Sequence, residues 1–240
     1  MDTNEYLTEG ELLNSQCVSA ILQEACGIYL VAMNSTKRTA ETVACEQNIV
    51  SALESSPVIR LMLTVLDRAG CTIIPDRHFA CEDCFGGGNV LGAYDRDNNQ
   101  IVICSNRCTD RSQVQRILFH ELIHMYDFCS AKVDFTDLSH LACTEVRAAN
   151  LAHCSSPRDA ATFPNREGCV KSRARASVLA MASVDGTVSD EAVEKVFKRC
   201  YSDLEPVGRT LNEGAKCERL ALGEFWHFSK QLRTHRHPES

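Results

Sequence analysis

Fourteen cysteines in 240 residues constrain this chain more than any other feature. A reducing compartment rarely carries so many free thiols as spectators, so they are paired, metal-bound, or divided between the two uses. The pairs Cys81-x-x-Cys84 and Cys104-x-x-x-Cys108 stand nineteen residues apart, close to the spacing of four-cysteine zinc ribbons, so a structural zinc competes with disulfides there. The other ten cysteines lack metal-ligand spacing and read as staples. Disulfides are therefore the favoured use overall, and one sequence does not give their pairing. An oxidising setting normally comes with a secretory signal. Here the first sixteen residues hold Asp2, Glu5, Glu9 and Glu11 and no Lys or Arg, unlike either a secretory signal or an Arg-rich transit peptide.

The apolar stretches at 12–23 and 25–36 are each shorter than the ~20 residues that a bilayer-spanning helix needs. Net charge is −7, with 25 Lys and Arg against 32 Asp and Glu. No basic stripe runs along the chain, which excludes nucleic acid as a partner.

Three regions follow from the patterning. Residues 1–56 read as a polar N-terminal extension with short helices, 57–207 as the main domain, and 208–240 as a C-terminal extension, partly disordered, whose His235 and His237 read as solvated. Pro57 opens an amphipathic helix through Val58, Leu61, Met62, Val65 and Leu66 that Gly70 stops. Two extended segments flank a turn at Asp97, Asn98 and Asn99, predicting a β-hairpin whose second strand is 100–105. A helix with a Ser112/Gln115 capping box follows to about Phe128, and further helical patterns cover 141–153, 169–181 and 189–200.

The chemistry lies on the first of these helices. His120-Glu121-Leu122-Ile123-His124 is an H-E-x-x-H motif, and its spacing of four places both imidazoles one turn apart on one face, where they can grip one zinc ion. Glu121 beside them can take a proton from the attacking water and deliver one to the leaving amine. A catalytic zinc needs a third protein ligand and one open position. Glu145, on the next helix, is the favoured third ligand. Asp127 can instead hold a ligand imidazole's other nitrogen, and His140 is a further alternative. Arg147 and Asn150 can stabilise the tetrahedral intermediate or hold a substrate carbonyl, with structural salt bridging an equal use for them. Strand 100–105 can offer an edge along which an extended polypeptide adds as another strand.

These residues carry a resemblance. Cys81-Glu82-Asp83-Cys84, Cys104-Ser105-Asn106, His120 to Asp127, and above all the run from His140 through Glu145 to Leu151, are similar to the family of mitochondrial inner-membrane metalloproteases that also act as ATP-synthase assembly factors. The likeness continues through the segments beginning at Cys169 and Val196 and covers roughly 57–207. It implies one catalytic Zn2+, a polypeptide substrate (the precursor of ATP-synthase subunit 6, a membrane subunit), and a second, protease-independent role in assembling the ATP-synthase membrane sector. It also implies a location in the mitochondrial intermembrane space, peripheral to the inner membrane, with import through the disulfide relay rather than by a presequence. The chain departs from the family pattern at Phe128, where a second Asp is common, at His153-Cys154, in place of a Gly-Asp-Cys ending, and at the additional Cys108.

The expected architecture is α+β and zincin-like, with a small β-sheet beside the active-site helix and additional helices stapled by disulfides. Two rivals to the peptidase are an assembly chaperone with a vestigial zinc site and a zinc-ribbon adaptor with an accidental H-E-x-x-H.

Overall fold

The computed structural model describes residues 39–85, 90–108, 110–154, 161–211 and 219–223. Helix α1 (Ala40–Ser55) is capped by Thr39, whose hydroxyl accepts from the Thr42 N–H, and it buries Cys45, Ile49 and Ala52 at helical spacing. The core therefore reaches back across residue 56, where the sequence suggests a boundary, and a four-turn helix stands in place of part of the expected short pieces. Helix α2 (Pro57–Arg68) begins as predicted, with Pro57 in its first turn and Ser56 as cap, and Gly70 follows its end at φ +86.

A single turn, α3 (Pro75–His78), leads into β1 (Phe79–Glu82), followed by β2 (Gly92–Asp95) and β3 (Gln100–Cys104). The predicted hairpin is β2–β3. Its turn is fixed by Asp95, whose Oδ1 accepts from the Asp97 and Asn98 backbone N–H groups. The third strand was not legible: Phe79-Ala80-Cys81-Glu82 neither alternates nor clusters β-branched residues. It pairs parallel to β3, giving the order β1-β3-β2. Strand β3 is thus central, with both of its backbone edges occupied. It cannot take the edge role suggested for 100–105. Among the described residues that role is open to β1 and β2.

Ile101 and Ile103 face the main core under helix α4 (Arg111–Ala131), while Val102 points the other way, to Ala80, Ala93 and Met181. The cap of α4 is Asp110, accepting from the Gln113 N–H at 2.9 Å and from the Ser112 hydroxyl at 2.6 Å, so Ser112 supports the cap rather than forming a box with Gln115. The helix continues to Ala131, about a turn beyond Phe128, and ends on Lys132 at φ +52. Helices α5 (Leu138–Ala152), α6 (Arg166–Ala182) and α7 (Gly186–Ser202) each begin three residues before their apolar pattern, because Asp137, Asn165 and Asp185 cap polar first turns.

Helix α5 is shared by two hydrophobic clusters. Its Ala148, Leu151 and Ala152 join the cluster built on α1, α2, β3 and α4, and its Leu141, Ala142, Val146 and Ala149 join the one built with α6 and α7. Alanines let it be buried on nearly every side from Thr144 to Ala152. Val207, Leu211 and Ala221 are buried in the first cluster, so part of the segment beyond 207 belongs to the core.

Among the described residues, five disulfides staple these layers. Cys45–Cys81, Cys71–Cys129 and Cys84–Cys104 lie within the first cluster's elements, and Cys143–Cys200 and Cys154–Cys169 tie α5 to α7 and α6. Among the described residues none joins a position before 130 to one after 142. The pairing removes the four-cysteine zinc reading: Cys81 and Cys84 have different partners, and Cys108 is a buried free thiol donating to the Leu91 carbonyl at 3.3 Å. Cys17, Cys26, Cys217, His235, His237 and the apolar stretches at 12–23 and 25–36 lie outside the described residues. No single helix among the described residues is long and apolar enough to cross a membrane. Helices α1 and α2 reach that composition only as a pair bent by 78°, and Cys45, Ile49 and Ala52 of α1 with most of the apolar face of α2 are buried in the protein's own core.

Candidate metal centre

Helix α4 presents His120 and His124 from one face, and α5 crosses it to bring Glu145 alongside. The two Nε2 atoms are 3.1 Å apart. Glu145 Oε2 is 3.5 Å from His120 Nε2, and Oε1 is 3.5 Å from His124 Nε2. Tetrahedral ligands at zinc distances of 2.0–2.1 Å stand about 3.3 Å from one another, so these separations fit such a cation. Two further observations support the fit. Glu145 Oε2 is buried with no hydrogen-bond partner among the described residues, and two imidazole lone pairs facing each other would otherwise repel. The donor set, two nitrogens and one carboxylate, suits zinc.

The orientation of His124 follows from its neighbours. Arg147 binds Asp127 through two nitrogens, at 3.0 and 2.9 Å, so both carboxylate oxygens accept; burial pushes the Asp127 pKa up, with Arg147 and Thr144 pulling against it. The Thr144 hydroxyl gives its one proton to Asp127 Oδ2 at 2.7 Å and therefore accepts from His124 Nδ1–H at 2.9 Å. His124 Nε2 is then unprotonated, with its lone pair toward Glu145 and His120. Asp127 thus acts on the His124 imidazole through Thr144 rather than by touching it.

Burial lowers the pKa of His124 to about 4, only partly offset by Glu145. Burial also works against a charged His120, but Glu145 and Glu121 outweigh it and raise its pKa. The reverse balance holds at Glu145, where both imidazoles overcome burial and lower the pKa. Glu121 is 6% exposed. Burial lifts it to about 7, against the pull of His120 and with a further push from Glu145, while the Tyr94 backbone N–H donates to its carboxylate. A carboxyl poised near neutrality can both take and return a proton.

The remaining sequence candidates fall elsewhere. His140 is exposed, its Nδ1 accepting from the Asp134 N–H at 3.3 Å, and it is not part of the cluster. Arg147 is committed to Asp127, Asp203 and the Glu205 carbonyl. Asn150 binds the Tyr201 carbonyl and the Arg166 guanidinium. Both are buried ties from α5 to its neighbours, so the structural reading of these two side chains fits and substrate contact does not. Sequence reasoning missed Thr144, although it adjoins Glu145. It also missed Ser177, whose hydroxyl reaches the Glu145 carboxylate, and His153, whose Nε2 lies 3.1 Å from His120 Nδ1. A histidine 33 positions from its partner gives no sequence signal of that contact.

Residues 43–208 match the peptidase M76 family. The chain belongs to this family. Among curated relatives of this M76 peptidase, the human mitochondrial inner membrane protease ATP23 homolog is 41% identical over 172 residues, 69% of this chain and 69% of its own. The Xenopus laevis protein of the same name is 39% identical over 69% of this chain and 72% of its own length. The Schizosaccharomyces pombe mitochondrial inner membrane protease atp23 is 32% identical over 68% of this chain and 90% of its own. No solved structure matches this M76 peptidase. The match begins at residue 43, within α1, in agreement with the packing of that helix into the core.

Proposed function

We propose that this chain is a zinc-dependent endopeptidase of the mitochondrial intermembrane space, peripheral to the inner membrane. In this reading it processes the precursor of ATP-synthase subunit 6 and assists assembly of the membrane sector. The observation that carries the reading is the convergence of His120 Nε2, His124 Nε2 and the Glu145 carboxylate beside a buried Glu121. The relatives' names support the inner-membrane setting, the sequence likeness supports the substrate, and five disulfides suit an oxidising compartment entered through the disulfide relay.

Zinc held by His120, His124 and Glu145 would supply Lewis acidity toward the scissile carbonyl and the attacking water. The protein's own groups do the rest. Thr144 keeps the His124 Nε2 lone pair turned inward, and Glu121 takes the water's proton and passes one to the leaving amine. Among the described residues, strand β2 has β3 on one side only, and its Tyr94 N–H reaches Glu121, so an extended polypeptide lying along β2 would bring its backbone to the acid-base group.

The test is elemental analysis of the non-reduced protein. One zinc per chain, lost in His120→Ala/His124→Ala, supports the reading; zinc retained in that variant, or none in the wild type, sinks it. Glu121→Gln is expected to keep the zinc and lose cleavage. Assembly that persists in Glu121→Gln would separate the chaperone role from proteolysis.

A further inference from the structure

We infer that His153 is a positioning residue for His120, holding that ring from behind while its other nitrogen faces the metal. The inference rests on the zinc reading above. His153 stands at the C-cap of α5, where its N–H still bonds to the Ala149 carbonyl at 3.2 Å but its backbone, at φ −118 and ψ −144, has left the helix. Cys154 follows at φ +32, in the left-handed region that a side chain seldom adopts, and is tied to Cys169 on α6. A helix end that would otherwise fray is pinned by this bond, and the turn it fixes aims the half-buried His153 ring across to α4.

His153 Nε2 meets His120 Nδ1 at 3.1 Å, with ring centroids 5.0 Å apart and planes inclined by 53°. This is nitrogen-to-nitrogen contact between tilted rings rather than stacking. With His120 Nε2 offering its lone pair to the cation, Nδ1 carries the hydrogen, and its partner must be an acceptor. His153 Nε2 supplies that lone pair, so the His153 proton resides on its Nδ1. The two ligand imidazoles are thus oriented by different devices: His124 by a hydroxyl backed by a carboxylate, His120 by a neutral imidazole anchored through a neighbouring disulfide. A partner of this kind fixes ring rotation and tautomer, and its loss typically weakens metal binding about 10–100-fold.

Zinc affinity of the full, oxidised chain, measured by competition with a chromogenic chelator, tests this on the wild type, His153→Phe, His153→Gln and His120→Ala. Phenylalanine fills the space without an acceptor, whereas the glutamine Oε1 lies the same number of bonds from the backbone as the imidazole Nε2. The expected result is about a 10–100-fold loss in His153→Phe and recovery of most of it in His153→Gln, with the metal-free proteins melting alike. Wild-type affinity in His153→Phe, with zinc lost in His120→Ala, overturns the inference and leaves the zinc site standing. Equal losses in His153→Phe and His153→Gln also overturn it, since the ring would then serve packing. Zinc retained in His120→Ala removes the zinc reading itself and the inference with it.

Discussion

Replacing Thr144 by Val probes the metal centre with almost no change of shape. Thr144 is 1% exposed, and its hydroxyl makes two hydrogen bonds, to Asp127 Oδ2 at 2.7 Å and from His124 Nδ1 at 2.9 Å. Valine puts a methyl group in its place, so no cavity opens. The bond to an ionised carboxylate is worth about 1.5–3 kcal/mol, and stranding the His124 N–H in a buried site costs about 1–3 kcal/mol more. Thr144→Val is therefore expected to unfold about 2.5–6 kcal/mol more easily in the metal-free state and to bind zinc about 10–100-fold more weakly. Thr144→Ser retains the hydroxyl and loses one buried methyl, about 1 kcal/mol, with zinc affinity close to wild type. Denaturant unfolding with metal removed and chelator competition on the oxidised protein give the two numbers. Wild-type zinc affinity in Thr144→Val would refute the relay, as would Thr144→Ser falling as far as Thr144→Val.

The remaining predictions concern other parts of the frame. Replacing both Cys71 and Cys129 by Ala, whose bond spans a sequence separation of 58, is expected to lower the unfolding free energy by about 4 kcal/mol, against about 3 kcal/mol for Cys154 and Cys169 at a separation of 15. Equal losses in denaturant titrations would reject the loop-entropy account. Burial, then Asp95, raises the Glu82 pKa above 4.5, so the folded state disfavours its ionised form: stability is fully present below the unfolded pKa and is lost as pH rises through the folded one. Glu82→Gln should accordingly melt above the wild type at pH 7.5 and with it at pH 4, and a gap of the same size at both would count against burial as the cause. A Cβ at Gly92 would stand 2.6 Å from Ile117 Cγ2 and 2.9 Å from the Val102 carbonyl oxygen, so Gly92→Ala pushes β2 off the active-site helix. It is expected to destabilise by about 1–3 kcal/mol and to reduce peptide cleavage more than zinc content; unchanged cleavage would argue against substrate lying on β2.

What could be read from the sequence was what short-range spacing encodes. His120 and His124 at a separation of four, the apolar face of α2 and the turn at 97–99 each lie within one element, and each is found where expected. Glu145 was reachable because the next helix is continuous and the block around it distinctive, and the fold brings its carboxylate to the two imidazoles. The failures share the opposite character. Arg147 and Asn150, about a turn apart on one helix, left substrate contact and salt bridging equally open, and only the contacts with Asp127 and Asp203 across layers place Arg147 in the bridge. Strand β1 exists because β3 offers it a partner, not because of its own four residues. The zinc-ribbon spacing of Cys81, Cys84, Cys104 and Cys108 dissolved because Cys45 arrives from α1, a helix with no visible claim on that region. Contacts made across layers leave little trace in local pattern.

The division of the disulfides at residues 130–142 bears on the order in which the molecule can be made permanent. Every described bond of the first group closes by residue 129, and every one of the second opens at 143 or later. A chain emerging from a narrow pore amino end first can therefore lock its sheet and motif-bearing helix while its last hundred residues are still threaded. The second group closes afterwards without reopening anything. Glu145 emerges only after the first group can close, so its carboxylate joins the two imidazoles later than the motif-bearing helix is locked. Vectorial delivery would thus hold the Glu145 carboxylate away from the two imidazoles while the first layer is being locked.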